Sequence, residues 1–292
     1  MIDYRQFETQ YKTFYSEHTD LSTFENIDFF GVNFSEEEII FKLYYTSTKV
    51  CPELFEPLNQ KKMIGNLNVV KDTMNSNKLR YDIGLINRTN GNMQFLYQWI
   101  DVLYPEIKQY REEIEKFYEL KCSTDEQYKL AAMYFLGVIT ETENCSVVEA
   151  IKFHYILRMC SNTNKIGENY DIDNQKVLST ICKIGILEIE KIGYFLEKCL
   201  KNTKAELWIA AVDYYKHKSN KYKIYLKNFD DNIYDSLYNQ LLSIDQEIVA
   251  FNVRFFKQWL HNHKEFSVYG LAICYSENNG WSLNFYLNKQ PG

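Results

Sequence analysis

Five times along the chain a short apolar strand-like run is centred on a small residue: Phe29-Phe30-Gly31-Val32-Asn33, Asp82-Ile83-Gly84-Leu85-Ile86, Phe135-Leu136-Gly137-Val138-Ile139, Ile209-Ala210-Ala211-Val212-Asp213 and Val268-Tyr269-Gly270-Leu271-Ala272. A polar, turn-rich stretch follows each one: residues 35–38, 88–92 with Asn90-Gly91, 141–146, 216–220 and 276–280. A second run then alternates with period 2, the mark of a strand with two unlike faces. Phe41, Leu43 and Tyr45 oppose Lys42, Tyr44 and Thr46; Met93, Phe95, Tyr97 and Trp99 oppose Gln94, Leu96 and Gln98. In the third run Ile151, Phe153, Tyr155 and Leu157 oppose Lys152, His154, Ile156 and Arg158. In the fourth, Tyr222, Ile224 and Leu226 oppose Lys221, Lys223, Tyr225 and Lys227, and in the fifth Trp281, Leu283, Phe285 and Leu287 oppose Ser282, Asn284, Tyr286 and Asn288. The pattern predicts five hairpins, each with one greasy and one polar-aromatic face.

Amphipathic stretches precede the hairpins, at 4–17, 53–76, 101–131, 173–203 and 231–263, and those at Asp101–Lys121 and Asn174–Lys201 are regular enough to be read as helices. Helices outside the strands would cover the greasy faces, so the other faces turn inward. The expected fold is α+β: five helix-hairpin repeats forming a ten-stranded antiparallel closed barrel, helices outside. Closure removes exposed strand edges and leaves a lumen wide enough for ligands. Pro and Gly are scarce, 4 and 11 in all, and no low-complexity linker interrupts the repeat, which predicts one domain over residues 1–292. Gly31, Gly84, Gly137, Ala211, Gly270 and Ala272 would leave open volume in the lumen; the glycines would equally serve to bend strands for closure.

Composition narrows the function. With 24 Tyr and 19 Phe the aromatic share is 16%, which suits strands and half-wet cavity walls. A net charge of -6 excludes a broad phosphate-tracking surface for nucleic acid, so any anion site must be local. No apolar run is long enough for a membrane span and Met1–Glu17 is charged throughout, so no membrane partner and a cytoplasmic location are expected. The seven Cys have no paired C-x-x-C spacing and read as free, buried thiols. His261 and His263, at i, i+2 on one helix end, do not suit joint metal ligation, so no metal site is assigned.

The repeated helix-hairpin unit resembles the ABBA-type aromatic prenyltransferases, the PT-barrel family, over nearly the whole chain in element order and length. Asp213-Tyr214-Tyr215-Lys216 followed by Tyr222-Lys223-Ile224-Tyr225-Leu226 is similar to the family hairpin in which a basic residue two before a Tyr binds diphosphate, and Lys221-x-Lys223-x-Tyr225 is similar to the strand of its indole-type members. Val268-Tyr269-Gly270-Leu271 with Asn284-Phe285-Tyr286-Leu287 resembles the closing hairpin, with Asn284 where some members carry Lys. The second hairpin departs with Gln94-x-Leu96 and the third with Lys152-x-His154. Lys42-x-Tyr44 stands where magnesium-dependent members place an Asp, so metal-independent binding is expected, no cofactor is required, and magnesium stays open as the alternative.

The resemblance implies transfer of a dimethylallyl or geranyl group from an allylic diphosphate to an aromatic acceptor: an indole, a phenol or an aromatic amino acid, free or within a peptide, handled by a monomer. The lining meets the physical demands. Ionisation puts negative charge on the leaving diphosphate, and Lys42, Lys152, Lys221 and Lys223, on inward positions, would stabilise it with Tyr225 and Asn284 as further ligands. Unpaired buried ammonium groups cost several kcal/mol each, in rough terms, so these lysines either meet an anionic ligand, pair with Asp82 or Asp213, or sit at a wet rim. Tyr44, Tyr225 and Tyr286 share the inward parity and would shield an allylic cation by about 0.5–2 kcal/mol per ring, unless they are aromatic filler. Asp213, Asp82 and His154 are candidate bases for the final proton, with Asp213 better placed as an ion-pair partner of Lys223. The competing function is a non-catalytic barrel that binds a small aromatic or lipid ligand.

Overall fold

The computed structural model describes residues 4–18, 29–47, 80–87, 93–100, 133–141, 147–156, 189–201, 203–215 and 219–289, with the strands between 80 and 156 given by their backbone pairing. The elements are α1 (Tyr4–His18), β1 (Phe29–Ser35), β2 (Ile39–Ser47), β3 (Arg80–Asn87), β4 (Met93–Ile100), β5 (Met133–Glu141), β6 (Val147–Ile156), α2 (Ile189–Leu200), β7 (Glu206–Tyr215), β8 (Lys221–Lys227), α3 (Asn232–Leu242), α4 (Glu247–Asn262), β9 (Phe266–Ser276) and β10 (Gly280–Lys289). Every strand is antiparallel to its neighbours. Hydrogen-bonded neighbours run β1-β10-β9-β8-β7-β6-β5-β4-β3-β2, and β2 returns to β1 in a closed barrel. The expected helical stretches 53–76 and 101–131, and the part of 173–203 before Ile189, lie outside the described residues.

The alternating faces separate as the side chains require. Phe285 on β10, Leu271 on β9 and Leu226 on β8 are direct cross-strand partners, all wholly buried on one face. Helices cover that face: Phe285 meets Phe256 of α4 at 4.6 Å and stacks on Tyr234 of α3 at 5.9 Å, while Trp281 packs on Phe195 of α2 at 4.5 Å. The α1 helix presents Phe7, Tyr11 and Phe14, at i, i+4 and i+7, as one buried stripe. Phe7 touches Phe41 of β2 at 5.2 Å and Trp259 of α4 at 5.5 Å, and Tyr11 touches Phe30 of β1 at 5.4 Å. Each such ring is worth about 1.5–3 kcal/mol of burial.

Where one amphipathic stretch was expected over 231–263, two helices form. Ser243–Gln246 break the stretch, with Asp245 at φ 58° and the amides of Asp245 and Gln246 donating to the carbonyls of Leu242 and Leu241. Asp is among the few non-glycine residues that visit this left-handed backbone, because its short polar side chain can hydrogen-bond locally. The turn lets α3 and α4 lie side by side over β10. Among the described residues no helix is long and apolar enough to cross a membrane.

A charged clasp ties α1 to α4. Trp259 Nε1 donates to Glu8 Oε2 at 2.8 Å, Lys12 Nζ reaches Oε1 at 3.0 Å, and His263 Nε2 lies 3.4 Å from Oε1. Burial raises the Glu8 pKa, but the hydrogen bonds from Trp259 and Lys12 and the charges of His263 and Lys12 outweigh it and leave the carboxyl below its ordinary value of 4.5. A depressed carboxyl contributes stability that is complete above its unfolded-state pKa and lost as the pH falls through the folded-state one. Glu8→Gln is therefore expected to lower the urea midpoint at pH 7, with the gap to wild type closing as the pH falls below the ordinary glutamate range; a gap that stays constant as the pH falls through and below that range contradicts the assignment.

Candidate active site

Opposite the helix-covered face, the six strands β2-β1-β10-β9-β8-β7 form one wall facing the lumen. Register defines its rows: Lys42, Gly31, Tyr286 and Gly270 lie abreast, as do Asn33, Asn284, Ala272, Tyr225 and Ile209. The row beyond holds Ser282, Cys274, Lys223 and Ala211. Lys42 Nζ donates to Asn284 Oδ1 at 3.1 Å, and Asn284 Nδ2 donates to Cys274 Sγ at 3.0 Å. Asn33 Nδ2 donates to the Leu283 carbonyl at 3.2 Å. These bonds hold the Asn284 carboxamide with its oxygen toward the Lys42 ammonium.

Lys223 forms an ion pair with Asp213, both buried. The expected partnership thus forms, but along a diagonal: the residue directly across from Asp213 is Lys221, and Lys223 faces Ala211. The small Ala211 leaves room for the lysine to lean two residues along the strand. Isolated, either charge would cost several kcal/mol in rough terms to bury; together they put a fixed ammonium in the wall. Lys221, half-buried, lies one row closer to the hairpin turn, across from Ser276.

The phenols gather toward the other end. Tyr225 stacks on Tyr286 with centroids 5.9 Å apart and planes at 21°, and Tyr44 tilts against Tyr286 at 6.1 Å. Both Tyr225 and Tyr286 keep part of their surface open, yet protein surrounds them, so that opening is toward the enclosed lumen. Burial pushes the Tyr225 hydroxyl up to about 12 against the opposing pull of Lys223, and burial likewise raises Tyr286. Both rings are neutral at ordinary pH and offer an undistorted π face.

Gly31 and Gly270 do different work. A Cβ at Gly31 would stand 3.3 Å from both Lys42 Cβ and Tyr44 Cε2, so its absence lets the Tyr44 ring lie close against β1. At Gly270 a methyl would sit at ordinary contact, 3.6 Å from the Leu226 carbonyl oxygen and 3.9 Å from Tyr286 Cδ2. There the glycine leaves room in the lumen, while at Gly31 it serves close approach, a role neither open volume nor strand bending describes.

Of the residues singled out in the sequence, Lys42, Lys223, Tyr44, Tyr225, Tyr286, Asn284 and Asp213 come together on this wall. Lys152 and His154 on β6 are placed by register across from Asp213 and Ala211, and Asp82 on β3 across from Thr46 and Gln98; their side chains lie outside the described residues. Sequence reasoning missed Cys274 and Asn33 as members of the wall. Cys274 is a buried thiol, and its place beside Lys223 follows only once β8 is aligned with β9. His261 and His263 have separate contacts away from this wall, with Lys264 and with Glu8 and Trp259. An ammonium beside a carboxamide oxygen at Lys42 and Asn284 suits an anion with its own acceptors and does not fit a magnesium ion.

Comparison with solved structures places the fold. The chain is similar to AnaPT from Neosartorya fischeri, with a TM-score of 0.51 and 11% identity over 98% of this chain and 88% of that one. It is similar to the NotF prenyltransferase, with a TM-score of 0.50 and 11% identity over 90% of this chain and 81% of that one. The likeness extends over most of each chain and shows a shared fold. No family model matches the sequence, and no curated protein matches it.

Gly31→Ala is expected to displace Tyr44 and lower stability by about 1–3 kcal/mol, whereas Gly270→Ala should stay within about 0.5–1 kcal/mol of wild type. Chemical denaturation of both variants checks this; equal costs would contradict the packing described at Gly31.

Proposed function

We propose that the chain is an aromatic prenyltransferase that moves a dimethylallyl or geranyl group from an allylic diphosphate to an aromatic acceptor. The observation that carries this reading is the convergence on one lumen wall of lysines, Lys221 and Lys223 toward the hairpin turns and Lys42 abreast of Tyr286, with the phenols Tyr44, Tyr225 and Tyr286. Likeness of fold to the NotF prenyltransferase supports it.

In this reading the diphosphate lies against Lys42, Lys223 and Lys221, with Lys152 contributing from β6 and Asn284 orienting Lys42. Charge that develops on the leaving group as the allylic C–O bond breaks is met by ammonium groups already fixed in place, which is where electrostatic catalysis is strongest. The allylic cation left behind faces Tyr44, Tyr225 and Tyr286, whose rings stabilise it and exclude water. An electron-rich acceptor ring attacks the cation, a carbon–carbon or carbon–heteroatom bond forms, and a proton leaves the ring. Asp213, engaged with Lys223, serves to fix that lysine; Asp82 and His154 remain the candidate proton acceptors. Lys42 supplies positive charge where magnesium-dependent relatives of the family resembled use a carboxylate and its metal.

The reading is tested by incubating the protein with dimethylallyl or geranyl diphosphate and a panel of indoles, phenols and aromatic amino acids. A product heavier by one prenyl unit, with release of diphosphate, is expected; binding of the aromatic compounds with no product and no diphosphate release would leave a carrier barrel instead. Turnover is expected to persist in the presence of a chelator, and complete loss would show that a metal, and not Lys42, meets the charge. Lys42→Ala is expected to raise the KM for diphosphate about 10- to 100-fold, the scale of one charge-assisted hydrogen bond of about 1.5–3 kcal/mol. Steady-state kinetics check this, and an unchanged KM would remove Lys42 from the site. Lys223→Ala removes a buried ion-pair partner of Asp213 and should cost up to about 3–5 kcal/mol of stability, part of it recovered when Asp213→Ala is added.

A further inference from the structure

Two strands of the wall carry a β-bulge at the end away from the hairpin turns. On β7 the register slips between Leu207 and Ile209, leaving Trp208 as the extra residue; on β9 Gly270 and Val268 pair with consecutive residues of β10, leaving Tyr269 as the extra one. The two strands flank β8, and the bulged residues meet across it: the rings of Trp208 and Tyr269 form an edge-to-face pair, 5.6 Å between centroids at 89°. Lys227 Nζ, at the end of β8, lies 5.9 Å from the Trp208 ring centre. Bulges at a barrel rim re-aim side chains, and here two re-aimed rings and a cation converge on one spot.

Alternation places this trio on the lumen side. Leu207 and Leu226 are partners on the helix-covered face, in the same row as Leu271 and Phe285. Trp208 and Lys227 follow them in sequence and so share the face of Tyr225. Tyr269 likewise follows Val268, the partner of helix-facing Leu287. Lys227 is two residues beyond Tyr225, which sets the aromatic pair about 7 Å outward along the strand from the Tyr225–Tyr286 stack. Tyr269 is 50% exposed, unusual for so large a ring held in a strand. A half-exposed ring held in an edge-to-face pair with Trp208 is arranged to receive a further ring in the offset or edge-to-face geometry that aromatic pairs favour.

We propose that Trp208 and Tyr269 form an aromatic clamp at the mouth of the barrel that binds the second ring of an acceptor carrying two aromatic groups, the first of which reacts inside the lumen. The assignment of the reacting ring rests on the prenyltransferase reading; the clamp itself rests on the bulges and the contact they create. It sets acceptor selectivity, since an acceptor with one ring wholly inside the lumen does not reach it.

The test uses the full chain and two acceptors of equal backbone length, tryptophyl-phenylalanine amide and tryptophyl-glycine amide, with dimethylallyl diphosphate. Wild type is expected to show a KM about tenfold lower for the two-ring acceptor, the scale of one aromatic contact. That ratio is expected to fall toward one in Trp208→Ala and in Tyr269→Ser, the latter a change at an exposed position that spares the core. A wild-type ratio near one, or a ratio that survives both substitutions, overturns the clamp. If wild type transfers no prenyl group to either acceptor, the enzyme reading fails separately, and calorimetric binding of the same two peptides decides the clamp by the same ratio. Absence of measurable binding to wild type also overturns it.

Discussion

Antiparallel register, carried from β2 through β1 and β10 to β7 and shifted only at the bulges of Trp208 and Tyr269, is the constraint on which the rest of this molecule depends. Residues 30–35 pair with residues 282–287, so the first hairpin and the last stand side by side although some 250 positions separate them. Because side chains alternate strictly, that pairing decides at one stroke which residues meet α1–α4 and which face the lumen. A slip of one residue between β1 and β10 would move Lys42 away from Asn284 and bury Asn33 and Asn284 among the phenylalanines.

The wall that results carries charge and rings side by side. Lys221 and Lys223 lie toward the hairpin turns, Tyr44 lies toward the opposite mouth, and Lys42 stands abreast of Tyr286 and leans to Asn284. Buried Lys223 is tolerable because its ion pair with Asp213 offsets its desolvation. Tyr225 and Tyr286 remain neutral because burial raises their pKa values, for Tyr225 by more than nearby Lys223 lowers it. An amphipathic ligand with a multiply anionic head and an unsaturated tail matches this mixture of lysines and phenols better than a purely apolar one, which would leave the lysines without an anionic ligand.

Much of this could be read from residues alone, because it depends on local periodicity. The five strand pairs lie around the polar stretches at 36–38, 88–92, 142–146, 216–220 and 277–279, each strand running a few residues past its apolar centre. The inward parity of Lys42, Tyr44, Lys223, Tyr225, Asn284 and Tyr286 follows from the same alternation. What escaped needs more than one strand to define. Cys274 joins Asn284 only through the β9–β10 register, and Lys223 reaches Asp213 diagonally because Ala211 is small. Trp208 and Tyr269 are re-aimed by bulges that have no residue signature, and the helix break at Ser243–Gln246 depends on a left-handed Asp245 in an otherwise helical stretch. Periodicity reports which face a residue occupies, whereas these features depend on who its neighbour is.

The central claim is that cationic and phenolic side chains from separate hairpins converge on one bound diphosphate. A crystal structure with an unreactive thio-analogue of dimethylallyl diphosphate tests it most directly. The account expects the phosphate oxygens within hydrogen-bonding distance of the Lys42 and Lys223 ammonium groups and the isoprenoid tail between Tyr44, Tyr225 and Tyr286. An analogue bound on the outer surface, or those side chains turned toward bulk solvent, would contradict it.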